Sequence, residues 1–144
     1  MGMIDVGEKP IVRREAIAAG RLVLKTSTLD VIRGGGVRKG NPLPFAEAAA
    51  FTAAKQAHLL IPHCHQIPLD SVAVSFEIDD SGIQVYCVVA AHARTGVEME
   101  ALLGVAGALN TLWDMLKYLE KDPSGQYPET KITDIRVVKK LKGV

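Results

Sequence analysis

The sequence predicts an α+β fold in which a four-stranded antiparallel sheet is covered on one face by two helices. Three observations support this prediction. Residues 71–78 and 83–91 are strand-like on either side of an Asp-Asp-Ser-Gly turn, which predicts an antiparallel hairpin. A long helical pattern lies before the hairpin and another follows it, and a strand-like segment lies towards each end of the chain. The chain therefore has the elements of a two-layer domain.

The elements before the hairpin are weakly patterned except for one helix. Residues 1–20 show no sustained period, so we expect an extended N-terminal arm, and residues 21–25 (RLVLK) predict a short strand. Residues 28–33 predict one or two helical turns that end at glycine. The alanine-rich residues 44–60 predict a helix that begins near prolines and ends before Pro62.

The elements from the hairpin onwards are better defined. Val72, Val74, Phe76 and Ile78 share one face of the first hairpin strand, and Cys87 is in phase with the apolar residues of the second, which predicts an inert core thiol. Residues 95–119 form the longest helical pattern, and residues 132–139 predict a last strand. The order strand, helix, strand, strand, helix, strand is the ferredoxin-like βαββαβ arrangement.

Length and composition indicate one soluble domain. The 144 residues suffice for a single core, and 48% of them are hydrophobic, without an apolar run long enough to cross a membrane. We therefore expect a single domain over residues 1–144. The first ten residues are charged and lack an apolar run, and the two cysteines show no disulfide spacing, so we expect a cytoplasmic protein with reduced thiols.

The charge distribution is more informative than the net charge of +1. A nearly neutral chain gives no reason to expect binding to nucleic acid or to a membrane. Residues 1–60 contain nine basic and five acidic side chains, residues 61–120 contain two and eight, and residues 121–144 contain six and three. The basic segments can supply cations for a small anionic ligand, close over the acidic middle, or simply form solvated faces of opposite sign.

A glycine-rich segment is the first candidate site. Residues 34–41 (GGGVRKGN) contain Arg38 and Lys39, and glycines allow backbone N–H groups to converge on a phosphate. The Walker pattern GxxxxGK[ST] is absent. The alternative is a mobile connector with solvated basic residues.

A second candidate is the loop at residues 60–69 (LIPHCHQIPL), whose prolines exclude a regular helix or a central strand. In extended backbone His63 and His65 point one way and Cys64 the other. A zinc site with a distant histidine or Cys87 is conceivable, but the paired spacings of known zinc motifs are missing. We assign no metal site.

The long helix carries a third candidate. On a helical wheel one broad apolar face is opposed by a polar flank that contains Glu100, Gly107, Asn110, Asp114 and Lys117. Glu98 completes a T-x-x-E capping box with Thr95, which gives it a structural alternative. Glu100 has no such alternative, so the flank is a candidate for chemistry.

Three segments together resemble one known family. KGNPLPFAEAAAFTAAK, LIPHCHQIPL and TGVEMEALLGVAGALNTLWDMLK are similar to the cyclic pyranopterin monophosphate synthases of molybdenum cofactor biosynthesis, the MoaC family, and the similarity spans nearly the whole chain. The resemblance implies a ferredoxin-like subunit in a homohexamer built as a trimer of dimers, with the active site at a subunit interface. It also implies a lyase that converts 3′,8-cyclo-7,8-dihydro-GTP into cyclic pyranopterin monophosphate and releases pyrophosphate. No cofactor is implied, although Mg²⁺ can accompany the triphosphate.

The resemblance also implies roles for individual residues. Asp114 and Lys117 fall on the acid–base pair of the family, and Lys39 falls on the lysine of its KG loop, so these three are the expected catalytic residues. The expected substrate-binding residues fall on the two contact motifs or on positions that bring positive charge to the phosphates: His63, Cys64, His65, Glu98, Met99, Glu100, Arg14, Lys55 and Lys140. By itself Lys55 is equally compatible with a surface lysine.

Two departures from the family pattern are visible. His63 stands where the family loop has an apolar residue, and Gln66 stands where it has a proline. The glycine- and lysine-rich tail of the family is not seen after KKLKGV. A non-catalytic nucleotide-binding module and a zinc hydrolase remain the alternatives, and product analysis or bound zinc would discriminate them.

Overall fold

A computed structural model describes residues 1–143, which form one sheet covered by a layer of helices. All neighbouring strands are antiparallel and their order is β2-β3-β1-β4, which confirms the predicted fold class. The elements along the chain are β1 (Val12–Val23), α1 (Thr26–Arg33), α2 (Pro42–Lys55), α3 (Ala57–Leu60), β2 (Ser71–Ile78), β3 (Gly82–Ala93), α4 (Glu98–Glu120) and β4 (Lys131–Lys142).

Strand β1 is much longer than predicted. It begins at Val12 rather than at residue 21 and is a central strand between β3 and β4, so the extended arm is limited to residues 1–11. The alternation is present in the sequence, but Ala16, Ala18 and Gly20 occupy its helix-facing positions. Small side chains give a weak hydrophobic pattern, so the strand was missed. They occur at these positions because α4 packs directly against the strand and leaves no room for larger side chains.

Helices α2 and α4 form the layer over the sheet, and they approach each other closely. A Cβ atom added at Gly107 of α4 would lie 2.8 Å from the Cβ atom of Ala53 in α2. Ala46, Ala50 and Ala54 of α2 are buried as well. The predicted helix over residues 44–60 is interrupted at Gln56, after which α3 forms a separate turn.

The start of α4 differs from the prediction. The residue that caps the helix is Val97, and no side chain caps it, so the capping box between Thr95 and Glu98 is wrong. Glu98 is instead the first helical residue, where its carboxylate still interacts favourably with the helix dipole.

The core lies between the sheet and the helix layer. Leu109, Leu112 and Leu116 of α4 pack there, and Cys87 of β3 is fully buried, as predicted. Burial raises the pKa of the Cys87 thiol to about 11, which makes it unreactive. Among residues 1–143, no helix is both long and apolar enough to cross a membrane.

Candidate functional site: two clusters at the ends of helix α4

The first cluster, here called the lysine cluster, consists of Lys39, Asp114 and Lys117. The Lys117 Nζ atom lies 3.0 Å from Asp114 Oδ1, and the Lys39 Nζ atom lies 3.5 Å from Asp114 Oδ2. One carboxylate is therefore shared by two ammonium groups. The structure brings together all three residues that the sequence resemblance assigned to catalysis.

The glycine-rich segment is held against α4 rather than being a mobile connector. The backbone N–H of Arg38 donates to the Tyr118 hydroxyl oxygen at 2.6 Å, and the Arg38 guanidinium lies 4.3 Å from the centroid of the Tyr118 ring. Val37 is 8% exposed and belongs to the core. These neighbours of Lys39 fix the backbone from which its ammonium reaches Asp114, although the Tyr118 contact was not anticipated from the sequence.

The electrostatics of the lysine cluster favour its ionised state. The hydrogen bond from Lys117, followed by the charges of Lys117 and Lys39, lowers the pKa of Asp114. The hydrogen bond and the charge of Asp114 raise the pKa of Lys117, with a smaller contribution from Tyr127. The Asp114 carboxylate thus outweighs the loss of solvent, and Lys117 is protonated at neutral pH.

The lysine cluster borders an open pocket of ≈ 430 Å³. Its walls are side chains of α4, of the segment before β4 and of the start of β4, and its complete lining is Asn110, Trp113, Asp114, Lys117, Tyr127 and Ile132. Asn110 is exposed and donates to the Ala106 carbonyl oxygen at 2.8 Å. An apolar wall beside convergent charged groups is typical of a small-molecule site.

The second cluster, here called the thiol cluster, surrounds the N-terminal end of α4 and contains Cys64, His65, Glu98 and Glu100. The Cys64 thiol lies 3.6 Å from Glu100 Oε2 and donates to it. His65 Nε2 donates to the Ile4 carbonyl oxygen at 2.7 Å, which holds residues 1–11 over the loop. Two segments far apart in the sequence therefore meet at this end of the helix.

Glu100 is not on an exposed polar flank, so that prediction is wrong. Its side chain is buried, with 3% of the residue exposed, because α3 and the loop that follows cover the first turns of α4. Close packing of Gly107 on α2 interrupts the flank further along. Within residues 1–143 the Oε1 atom of Glu100 has no hydrogen-bond partner.

Burial is also the main cause of the pKa shifts of Glu100 and Cys64. Loss of solvent, followed by the charge of Glu98, raises the pKa of Glu100 even though the Cys64 thiol and the helix backbone partly compensate. Burial, together with the carboxylate of Glu100, raises the pKa of Cys64 to about 11. A thiol with such a pKa is a weak hydrogen-bond donor rather than a nucleophile.

Several predicted binding residues lie near the thiol cluster. Lys140 Nζ is 3.8 Å from Glu98 Oε1, which places this lysine beside the helix start despite the long segment that precedes β4. Met99 is 38% exposed, and the His63 side chain is exposed without a hydrogen bond within residues 1–143. Arg14 is buried and donates to the carbonyl oxygens of Ala93 and Arg94, at 3.5 and 3.2 Å.

Lys55 lies near the same end but apart from Glu100. It is exposed and lines a shallow pocket with Leu69 and Asp70. The Asp70 carboxylate is 2.6 Å from His92 Nδ1, and His92 borders a second pocket together with His65 and Arg94. The structure therefore places the three predicted catalytic residues together and most of the predicted binding residues towards the other end of α4, with Lys55 apart from both clusters.

Metal ligation has no support in the described part of the chain. Across residues 1–143 no three His, Cys, Asp or Glu side chains are grouped so that they could hold a metal ion. The zinc hydrolase alternative therefore lacks a ligand set among these residues.

Comparison with known proteins gives consistent matches over almost the full length. The sequence model of the MoaC family matches residues 3–143. A protein of Thermococcus kodakarensis named probable cyclic pyranopterin monophosphate synthase is 51% identical over 141 residues, covering 98% of this chain and 90% of the relative. A protein of Pyrococcus abyssi with the same name is 50% identical, covering 97% and 88%.

A further relative has a slightly different name. A protein of Methanothermobacter thermautotrophicus named probable cyclic pyranopterin monophosphate synthase accessory protein is 50% identical over 140 residues, covering 97% of this chain and 88% of the relative.

Proposed function

The chain belongs to the MoaC family, as the sequence resemblance predicted, and we propose that it is a cyclic pyranopterin monophosphate synthase. The proposed reaction converts 3′,8-cyclo-7,8-dihydro-GTP into cyclic pyranopterin monophosphate and pyrophosphate. The observation that carries the proposal is the lysine cluster, because Lys39, Asp114 and Lys117 converge from separate parts of the chain beside an open pocket.

The proposed chemistry requires proton transfer and charge neutralisation. Lys117 acts as a general acid, since the adjacent carboxylate keeps its ammonium protonated at neutral pH. Asp114 orients both ammonium groups and accepts a proton once substrate phosphates draw the lysines away from it. Formation of a cyclic phosphate breaks the bond between the α- and β-phosphates, and Lys39 neutralises charge on the departing pyrophosphate.

We propose that the thiol cluster contacts the same kind of substrate in a site shared between copies. Glu100 and Asp114 are 14 residues apart on one continuous helix, about 21 Å at 1.5 Å per residue, which is too far for one small substrate. A homohexamer built as a trimer of dimers would join the thiol cluster of one copy to the lysine cluster of another.

Mixing two variants with impaired activity tests the shared site. Glu100→Gln and Lys117→Ala each impair one cluster, and in a mixed dimer one of the two sites receives both intact clusters. Co-refolded variants should therefore recover about a quarter of wild-type activity. Two copies of the same variant, refolded alone, provide the control. Absence of recovery in confirmed mixed oligomers would show that each copy builds its own site.

We propose that no resident cofactor takes part and that Mg²⁺ enters only with the triphosphate. The measurement is turnover with and without a chelator. A chelator should reduce turnover only until excess Mg²⁺ is restored, and purified protein should contain no stoichiometric zinc.

The decisive experiment for the activity is direct product analysis. Purified protein is incubated with the cyclic dihydro-GTP intermediate, and the products are identified by mass spectrometry while released pyrophosphate is measured. We expect cyclic pyranopterin monophosphate and one pyrophosphate for each molecule consumed, and no conversion with Lys117→Ala. Unchanged substrate with correctly assembled protein would refute the proposal.

A non-catalytic nucleotide-binding module is the second candidate, and the accessory-protein name of one relative favours keeping it. Such a module would bind the intermediate and return it unchanged. Product analysis separates the two candidates, because only the enzyme releases pyrophosphate.

A further inference from the structure

The segment between α4 and β4 is rigidly held at both ends. At its start the Asp122 Oδ1 atom accepts the backbone N–H groups of Ser124 and Gln126, each at 2.9 Å, and Gly125 supplies the left-handed backbone with a φ of 81°. At its end the Thr130 hydroxyl donates to Glu120 Oε1 at 2.6 Å. The residues between these anchors therefore have a fixed position.

Tyr127 lies between the two anchors and faces the lysine cluster. Its ring packs edge-on against Trp113, with 5.1 Å between the ring centroids and 61° between the planes. Both rings line the pocket that contains Asp114 and Lys117. The geometry of the pair fixes the orientation of the phenol, since edge-on aromatic packing is favourable at this separation.

The Tyr127 hydroxyl is available for a ligand. Within residues 1–143 it makes no hydrogen bond to the protein, whereas the Tyr118 hydroxyl accepts the Arg38 N–H. A phenol O–H that lines the same pocket as the Lys117 ammonium will donate to an anionic oxygen that this ammonium attracts.

We propose that Tyr127 is a further substrate-binding residue, whose hydroxyl donates to an anionic oxygen of the substrate held beside Lys39 and Lys117. The inference rests on the proposed function, because it takes the lysine cluster as the reacting site. The ligand class is a phosphate or pyrophosphate oxygen of a nucleotide-derived substrate.

The kinetic test compares Tyr127→Phe with Tyr86→Phe. Tyr86 lies on β3 beside Arg21 and Asp79, and no proposed site residue borders its pocket. A hydrogen bond that is equally strong in the bound substrate and in the transition state changes KM, whereas kcat stays nearly the same. We expect Tyr127→Phe to raise KM about tenfold with little change in kcat. Tyr86→Phe should match the wild type, and both variants should keep the wild-type thermal midpoint.

A second readout does not depend on turnover. Trp113 is the single tryptophan of the chain, so its fluorescence reports directly on this pocket. Titration of the assembled protein with inorganic pyrophosphate should give a saturable change, with a dissociation constant about tenfold higher in Tyr127→Phe. Tyr86→Phe again serves as the control.

The outcomes separate this inference from the proposed function. Equal pyrophosphate affinity in the wild type and Tyr127→Phe, or no saturable change in either, overturns the role of the hydroxyl. A Tyr127-dependent affinity in a protein that does not convert the cyclic intermediate retains the anion contact and rejects the synthase activity. Tyr127-dependent affinity together with a raised KM supports both.

Discussion

The two ends of α4 hold carboxylates in opposite environments. Asp114 is exposed, is paired with two lysines, and has a lowered pKa. Glu100 is buried, has one oxygen without a partner within residues 1–143, and has a raised pKa. One end is thus a charged, solvated ion-pair cluster, and the other holds a desolvated carboxyl group whose Oε1 atom has no donor within residues 1–143.

A third carboxylate on the same helix, that of Glu120, is buried and has several hydrogen-bond donors from the protein. Glu120 is 2% exposed, and it accepts the hydroxyls of Thr28 and Thr130 and the backbone N–H of Lys25. Its network joins α1 and the segment before β4 to the end of α4. Within residues 1–143 Glu100 has no comparable set of donors, which supports the proposal that its free oxygen contacts a ligand.

The largest expected effect is on the lysine cluster. Lys117→Ala or Asp114→Asn should lower kcat by about 10²-fold or more, because each removes a group that transfers or directs protons. The measurement is pyrophosphate release by correctly assembled protein. Lys121→Ala, which changes an exposed lysine just beyond α4, is the control. Near-wild-type turnover in either the Lys117 or the Asp114 variant would contradict the proposed catalytic role of that residue.

The next effect concerns stability and uses Glu120. Glu120→Ala should destabilise the protein by about 3 kcal/mol, since it leaves two buried hydroxyls and an N–H group without acceptors. The free energy of unfolding from denaturant titration measures this. Glu120→Gln, which keeps an acceptor oxygen, should cost clearly less. Equal losses in the two variants would show that packing rather than hydrogen bonding explains the burial.

Glu100→Gln should separate function from stability. A carboxyl group whose pKa is raised in the folded state binds more protons folded than unfolded, so its contribution is full at low pH and is lost as the pH rises above about 4.3 towards the folded value. The variant should lose activity by about tenfold if the free oxygen binds substrate.

The stability of the Glu100→Gln variant should therefore decline less than that of the wild type between pH 4 and neutrality. Thermal unfolding at several pH values measures it, with Glu47→Gln as the control because Glu47 is an exposed carboxyl group of α2. If the stability of Glu100→Gln and that of the wild type changed with pH in the same way, the raised pKa of Glu100 would be contradicted.

The last prediction concerns the reactivity of Cys64, which affects neither turnover nor stability. Because its pKa is raised to about 11, alkylation by iodoacetamide at pH 8 should be slower than that of a free thiol by about two orders of magnitude. Cys87→Ala confines the reaction to this thiol. Glu100→Gln should accelerate the reaction, since it removes a nearby negative charge. A rate equal to that of a free thiol would show that this end of α4 is solvated.

Much of the fold was predictable from local pattern. Strand β2 was predicted with its observed bounds because Val72, Val74, Phe76 and Ile78 alternate strictly with smaller or polar residues. Strand β1 was not, because alanine and glycine satisfy a close helix–sheet contact without producing a hydrophobic pattern. The start of α4 was misplaced because Thr95-x-x-Glu98 has the form of a capping box while the turn before it is set by tertiary packing.

The sequence by itself determined the family, the order of the main strands and helices and the candidate residues, since residue types and motif spacing are local properties. Only the tertiary structure decided which residues meet: Lys39 reaches Asp114 because the Arg38–Tyr118 contact docks the glycine-rich segment on α4. It also decided that Glu100 is desolvated while Asp114 is not, and that Tyr127 borders the lysine cluster. Burial and long-range contact depend on how distant segments pack, and a helical wheel of one segment does not contain that information.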